Sequence, residues 1–592
     1  MFLPSLHATY EITLGTLAIC LLLSGADDLI PAMLCLWAKV SPKSETAPGA
    51  TDSFERRTAI FVPCWQESGV IGDMVRHNLA AVRYANYDFF LGVYPNDEAT
   101  VQAAGQLAAG LRNVHMAECP HAGPTSKADC LNWVYQRMLL FEEEHGVRFE
   151  TVVVHDAEDL IHPDALALIN ERRSRFDMVQ VPVLPLPTPV GELTHGIYCE
   201  DFAEYQSIDM RARQISGSFI PSNGVGTGYS REALERMADS NSNRVFEPTS
   251  LTEDYESGIR IHALGFRQCF CPLMDKQSGF IATREYFPRN LRSAVRQRTR
   301  WVMGIALQSW ERNGWRGSAV TRYWFWRDRK GVITNPLSLA TNVFFIAGLV
   351  TWLWSSARHL EWIMQARSAI VNALCGATLV LQCVRLALRM ECVRRVFGLR
   401  FAAFVPLRAF HTNLLNTLAT VHAVRRYVSA KLKRQPLVWL KTEHAYPNRE
   451  TLVSRRRDLE EVLVTSGYVA PEVVHAVKNV VPADTDLADY LLHHGLLDQE
   501  QLCEALSLKE GVPAVFLDPL TVNRKIARTL PVHIVEELQL IPFRIESGTL
   551  HVAGPQVPRA NFKDALQRFT RLKIEFHLVT WRNFEELKTL LV

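Results

Sequence analysis

The stretch Thr151-Val152-Val153-Val154-His155-Asp156-Ala157-Glu158-Asp159 decides the fold, because a β-branched run stops abruptly at a cluster of acids. A short apolar run of that kind reads as a buried strand, and in parallel α/β sheets the ligand-binding residues stand just beyond the carboxyl ends of strands. The same arrangement recurs toward the amino end. Ala59-Ile60-Phe61-Val62 leads into Pro63 and Glu67, and Phe89 to Tyr94 leads into Asp97, with an amphipathic stretch near Val70 to Tyr84 between them. This alternation predicts a parallel α/β domain with its ligand end at these acids.

In chain order, Pro63-x-x-x-Glu67, Asn96-Asp97, Ser126-Lys127-Ala128-Asp129, Asp156-Ala157-Glu158, Thr252-Glu253-Asp254 and Gln297-Arg298-Thr299-Arg300-Trp301 all precede the longest apolar runs of the carboxyl half. Each motif alone is common. Their joint order resembles the processive family-2 glycosyltransferases, the group of the cellulose, chitin and hyaluronan synthases. The resemblance implies an A-type, Rossmann-like nucleotide-sugar domain inserted between transmembrane helices. It places Pro63, Glu67, Asp97 and Lys127 on the donor and makes Asp254, Gln297, Arg300 and Trp301 catalytic. Segments such as Arg284-Glu285-Tyr286-Phe287-Pro288 and Trp326-Arg327-Asp328-Arg329-Lys330-Gly331 further resemble a family of bacterial inner-membrane proteins named for phage adsorption. That likeness implies a cell-envelope polysaccharide synthase working with an outer-membrane export partner.

The chemistry gives each motif a reason. A nucleotide-diphosphate sugar carries a doubly charged leaving group, which a hard divalent cation, Mg²⁺ or Mn²⁺, held by carboxylate oxygens neutralises. Asp156 and Glu158 suit that task, with Asp159 as an alternative second ligand to Glu158. Asp254 is the candidate base for the acceptor hydroxyl, and one direct displacement of this kind inverts the anomeric centre. Arg300 can form charge-assisted bonds to the diphosphate, while Trp301 can offer a ring face to the acceptor sugar. The Ser222 to Gly228 loop, with three glycines, resembles an acceptor-side loop.

A net charge of +2 with no polybasic tail argues against a nucleic-acid partner. The 12 cysteines show no C-x-x-C pair and are expected to be reduced thiols outside any zinc site. Tyr10 to Ala38, Gly331 to Ala357 and Ser368 to Leu388 are long and apolar enough to cross a bilayer, the first interrupted by Asp27-Asp28. Paired carboxylates there must lie at the interface or face a polar partner. Phe401 to Val424, broken by Pro406, Arg408 and His411, reads as an amphipathic or re-entrant helix. Basic residues after the first and third spans face the cytoplasm, so three spans put both soluble regions inside a bacterial inner membrane.

Past a linker, the carboxyl-terminal region opens with an internal repeat, Asp458-Leu459-Glu460 to Gly467 and Asp486-Leu487-Ala488 to Gly495. Alternating runs at Gln539 to Glu546 and Thr549 to Ala553 add a small sheet with helices. This resembles the amino-terminal domain of type II secretion ATPases, called MshEN where it binds cyclic di-GMP. The nucleotide-binding repeats open with Arg-Leu-Gly and close with Gln. Here acids stand at the openings, Val481 and Lys509 stand at the closings, and Arg456 or Arg457 could substitute only in a shifted register. A docking or degenerate-sensor role therefore ranks ahead of cyclic di-GMP binding.

The expected organisation is an anchor over 1–50, a glycosyltransferase domain over 51–290, interfacial helices over 291–330, transmembrane or re-entrant helices over 331–424, a linker over 425–450 and an MshEN-like α+β domain over 451–592. An active hexosyl- or N-acetylhexosaminyltransferase is weighed against a catalytically silent membrane scaffold that keeps the fold. The complete set of acids favours the enzyme.

Overall fold

A computed structural model of the chain describes residues 2–40, 54–435, 437 and 458–591, leaving out 242, 276–278, 363, 365, most of 466–486, and 511, 521, 547, 559–561 and 571. Two compact units result: Met1–Ile71 with Asn86–Tyr446, and Gly72–Ala85 with Pro447–Val592.

The first unit is built on a seven-stranded sheet. Its strands are β1 (Thr58–Pro63), β2 (Tyr87–Val93), β3 (Val114–Glu118), β4 (Thr151–Val154), β5 (Met178–Gln180), β7 (Thr227–Ser230) and β8 (Gln268–Phe270), in the order β3-β2-β1-β4-β7-β5-β8. A separate strand, β6 (Val183–Pro185), pairs with a later one described below. β1 lies between β2 and β4, with Phe61 opposite Phe90 on one side and Val154 on the other, all buried. The helix Lys127–His145 crosses so close to β2 that a Cβ on Gly92 would meet Cys130 Sγ at 2.5 Å and Val134 at 2.7 Å.

The parallel sheet expected from the sequence holds for β1 to β4, but β7 runs antiparallel to both β4 and β5. The reason lies in the loop before it. Ser222 to Gly226 sits at the carboxyl end of β4, and two positive-φ glycines, Gly224 (φ 80°) and Gly226 (φ 61°), turn the chain back into the sheet from that end. The mixed α/β sheet thereby brings a glycine-rich loop to its ligand end.

A small hairpin of β9 (Met274–Asp275) and β10 (Gly279–Phe280) precedes β11 (Thr283–Glu285), which pairs in parallel with β6. Three helices among the described residues are long and apolar enough to cross a membrane: Ala8–Ala38, Ala319–Arg358 and Ala369–Phe397. The expected spans lie inside them except for Ser368, which caps the third helix. Asp27 and Asp28 face polar partners: Lys330 Nζ lies 2.5 Å from Asp27, Arg327 lies 3.2 Å from it, and Arg385 lies 2.6 Å from Asp28. Cations from two other helices thus satisfy the carboxylates that would be costly in lipid.

The stretch read as amphipathic or re-entrant is one helix, Val405–Lys433, which runs on into residues assigned from sequence to the linker. Its Arg408 is fully buried against Glu200 at 2.5 Å, on the helix Leu193–Glu204. Arg298 pairs with Asp201 at 2.6 Å, and Arg389 reaches Glu200, Asp201 and Glu204 together. One acidic helix of the sheet domain is thus gripped by three arginines from three other helices.

In the second unit β12 (Ile541–Glu546), β13 (Thr549–Gly554) and β14 (Lys573–Leu578) form a sheet, antiparallel then parallel. Leu540, Val552, Leu566, Leu578 and Leu587 form its core with the helix Trp581–Lys588. The repeat helices appear as Leu459–Thr465 and Leu487–His493. Asp486, Val481 and Arg455 to Arg457 lie outside the described residues. The cysteines are free thiols.

Removing one partner of a buried ion pair leaves the other uncompensated, at a cost of about 3–5 kcal/mol. Glu200→Gln is accordingly expected to lower the melting temperature of the detergent-solubilised protein steeply. Glu391→Gln, which loses only exposed partners in Arg394 and Arg395, should leave it unchanged.

Candidate active site

One cavity opens at the carboxyl ends of β1 and β4, and Pro63, Glu67, Lys127, Asp156, Glu158, Asp254, Gln297, Arg300 and Trp301 all line it. Residues up to 238 positions apart in sequence meet there, from Pro63 to Trp301. Asp97 is the exception. Its carboxylate accepts the backbone N–H of Gln66 at 2.5 Å and so holds the turn, with Gln66 at φ 56°, that presents Glu67.

The acidic turn after β4 divides its labour. Asp159 is completely buried, and its Oδ2 lies 2.8 Å from the His155 ring and 3.0 Å from the Asp156 backbone N–H, which it accepts. Asp159 closes the turn, and Asp156 and Glu158 are the acids that the turn presents to the cavity. Two hard carboxylate donors with no imidazole lining the cavity, and with the Cys64 and Cys130 thiols held well above their ordinary pKa and so protonated, fit Mg²⁺ or Mn²⁺ better than a softer metal.

Lys127, at the start of its helix, lies 2.5 Å from Asp156 and donates to the Gly224 carbonyl at 3.1 Å. Burial works against its charge, but Asp156, Glu253 and Asp254 raise its pKa and keep it an ammonium. It ties the Ser126-Lys127 segment, the acidic turn and the glycine loop into one wall.

Glu253 and Asp254 open the helix Glu253–Ala263. Burial, then the Asp254 charge, push Glu253 up to about 7, and burial raises Asp254 as well, against the pull of Lys127. Asp254 accepts the Tyr255 N–H at 2.8 Å, and a Cβ on Gly224 would stand 2.8 Å from its other oxygen, so only glycine leaves the carboxylate room. Glu285 is a residue that sequence reasoning quoted but gave no role. It lines the same cavity from β11, whose Arg284 exchanges backbone bonds of 2.8 and 3.0 Å with Leu160 just past the acidic turn. Burial, then Asp159, Glu158 and Asp156, hold its carboxyl well above the usual range.

The opposite wall is aromatic. Trp301 meets Tyr198, Phe202 and Phe287 edge-on at 6.0, 6.3 and 6.5 Å. Beside it, Gln297 Oε1 and Arg300 Nε are buried without a hydrogen-bond partner among the described residues, while Arg300 Nη1 reaches the Leu251 carbonyl at 3.4 Å. The helix then widens into a π-turn, Val302–Gln308. Gln308 at its end accepts from Leu251 N–H at 3.0 Å and donates to Thr249 C=O at 2.8 Å, clamping the strap before Asp254. Any side chain at Gly304 would collide with Thr252. Neither residue carried a sequence signal, because their partners lie about fifty positions away.

The sequence model of the family described as glycosyltransferase like family 2 matches residues 56–304, and that of the MshEN domain matches residues 510–587. Bacteriophage adsorption protein B of Escherichia coli K12 is 32% identical over 570 residues, which covers 91% of this chain and 76% of that protein. Bacteriophage N4 adsorption protein B of Escherichia coli O157:H7 matches to the same extent. Among solved structures, the mannosyltransferase PcManGT from Pyrobaculum calidifontis, in complex with GDP-Man and Mn²⁺, is 15% identical with a TM-score of 0.41 over 69% of this chain and 99% of its own. MshE with cdg is 21% identical, with a TM-score of 0.19 over 22% of this chain and 96% of its own.

Gln308→Leu leaves the buried Leu251 backbone N–H unpaired, which costs about 1–3 kcal/mol. Hydrogen exchange at Leu251 and the residues up to Asp254 is expected to accelerate while β1 stays protected. Uniform acceleration across the domain would count against a local clamp.

Proposed function

Because the chain belongs to the family of bacteriophage adsorption protein B and carries a family-2 glycosyltransferase domain, we propose that it transfers a hexosyl or N-acetylhexosaminyl group from a UDP-sugar to a glycan acceptor, with inversion at the anomeric carbon. The observation that carries this reading is the convergence of Asp254, the Asp156 and Glu158 pair, Arg300 and Trp301 on one cavity.

Each group has a task there. The Asp254 carboxylate takes the proton of the acceptor hydroxyl as its oxygen attacks the anomeric carbon and the bond to the nucleoside diphosphate breaks. Asp156 and Glu158 would hold Mg²⁺ or Mn²⁺, whose charge offsets that of the diphosphate. Arg300 and Lys127 add fixed positive charge on the leaving-group side, Gln297 offers its unpaired amide oxygen, and Trp301 stacks on the acceptor ring. Asp97 acts on the donor only through the Gln66 turn.

The three long apolar helices support a multi-pass protein of the bacterial inner membrane with its catalytic domain in the cytoplasm. The product in this reading is a cell-envelope polysaccharide, passed to an outer-membrane export partner. Acids at the repeat openings favour docking over cyclic di-GMP binding by the MshEN domain. A silent scaffold would have no need to keep Asp254, the acid pair and Arg300 together.

Asp254→Asn is expected to abolish sugar transfer, followed as UDP release in detergent, while donor affinity holds within a few-fold. Wild-type protein in excess EDTA should be inactive, and full turnover of either preparation would refute the assigned role. The pH profile follows from the two neighbouring acids. Asp254 works as a carboxylate and its pKa is raised, so turnover falls on the acid side as pH drops through the range below about 7, where Glu253 also protonates. Asp254 raises Glu253, which is therefore already neutral where Asp254 titrates, so Glu253→Gln should leave the acid limb in place. A limb that moves to lower pH would mean that Glu253 stays ionised while Asp254 titrates.

A further inference from the structure

Two parallel neighbours in the carboxyl-terminal sheet carry imidazole and carboxylate on one face. β13 pairs with β14 so that His551 stands opposite Glu575 and Ala553 opposite His577. Strand alternation puts Leu550 and Val552, with Ile574 and Phe576, into the hydrophobic core. His551, Glu575 and His577 therefore share the other face.

Three donor atoms converge there. His551 Nδ1 lies 2.9 Å from His577 Nε2 and 3.8 Å from Glu575 Oε2, and one donor atom from each residue falls within 4.8 Å of the others. Both histidines are more than nine-tenths buried, whereas the Glu575 side chain is 51% exposed. The strand register shifts between Pro542 and Arg544 in β12, and Phe543 at that point sets its ring edge-on to His577 at 5.2 Å and near His551 at 6.0 Å. The pair is thus walled on its apolar side and reachable on the Glu575 side.

We propose that His551, Glu575 and His577 form a binding site for a borderline transition-metal ion, Zn²⁺ first, with the remaining position open toward solvent. In tetrahedral zinc, nitrogens bonded at 2.0–2.1 Å stand about 3.3 Å apart, so the imidazoles need to part by only about 0.4 Å to admit the ion. Two histidines with one carboxylate is also the ligand set of zinc sites that keep a fourth position open. The chemistry differs from that of the Asp156 and Glu158 pair, which offers carboxylates and no imidazole to its cavity. Imidazole selects Zn²⁺, Co²⁺ or Ni²⁺ over Mg²⁺, so the two sites take different metals from one pool. Bound metal would clip β13 to β14 on the face opposite Leu550 and Val552.

The test uses the full-length protein in detergent, carrying a tag free of histidine and stripped with a chelator. Titration with Co²⁺ is expected to give the visible absorption of a four- or five-coordinate ion at one equivalent, without thiolate charge-transfer bands. Zn²⁺ should displace it and excess Mg²⁺ should not. Glu575→Gln changes an exposed side chain and leaves the fold intact, yet should weaken Co²⁺ binding at least about tenfold. His577→Ala should abolish it, and Zn²⁺ should raise the melting temperature of the wild type more than that of Glu575→Gln. Absence of the Co²⁺ band in wild-type protein, a band with thiolate character, or an affinity unchanged in Glu575→Gln would overturn the proposal and leave the histidines as a hydrogen-bonded pair.

Discussion

The first unit depends on the salt-bridge network at Glu200, Asp201 and Glu204. Burying charges is costly, and such a network persists only where each carboxylate finds several cations in good geometry. Arg408 meets Glu200 at 2.5 Å with neither side chain exposed beyond 1%, Arg298 meets Asp201, and Arg389 spans all three acids. Unlike an apolar contact, this arrangement tolerates no sliding, because a shift of one helical turn would strand a charge. It fixes the helix Leu193–Glu204 against an apolar span, Ala369–Phe397, and against the helix Val405–Lys433.

The catalytic consequence follows from helical geometry. Gln297, Arg300 and Trp301 are three and four residues apart, so they share the face of the helix Leu291–Trp301 that meets the cavity. Arg298 is displaced by about 100° around that helix and anchors it to Asp201 and to Asn416 at 2.5 Å. The residue within the Q-x-x-R-W order that the resemblance left without a role therefore sets the rotation of the other three. On the facing side, Lys127 and Arg300 are the fixed cations among Asp156, Glu158, Glu253, Asp254 and Glu285. Burial first, and then the neighbouring carboxylates, hold Glu253 and Glu285 above the ordinary range, so these crowded carboxyls do not all ionise at neutral pH. Such a cavity is matched to a cation and to a ligand that brings its own compensating groups.

Much of this was legible in the sequence, for reasons that differ by feature. Acids directly after β-branched runs, and apolar runs beyond the length of a bilayer crossing, are local signals, so Asp156, Glu158, Glu67 and the three long helices could be read directly. Asp159 was read as an alternative ligand because nothing local distinguishes a presented carboxylate from one that closes its own turn against His155. The antiparallel β7 was missed because strand direction is set by the glycine turn before it, whereas composition reports only that a strand exists. The continuity of Val405–Lys433 was hidden by Arg408, His411 and Asn416, polar residues that mark solvent or lipid headgroups in isolation but here meet partners on other helices. His551 and His577 carry no signal at all, since only strand register brings them together.

The π-turn at Val302–Gln308 joins the two halves of the site. An α-helix continued from Trp301 would carry Gln308 around on the 3.6-residue period, but each π-turn retards that rotation. In the observed geometry Trp301 faces the aromatic wall while Gln308 faces Thr249 and Leu251, and Gly304 lies flat on Thr252 between them. The strap that leads to Asp254 is therefore registered against the same helix that carries Arg300 and Trp301. A displacement of that helix, which Arg298 ties to the network at Glu200, moves both the leaving-group side and the strap leading to the base. Coupling of this kind passes through packed, hydrogen-bonded neighbours at each step, and so the position of Asp254 is fixed as much by Gln308 and Arg298 as by its own helix.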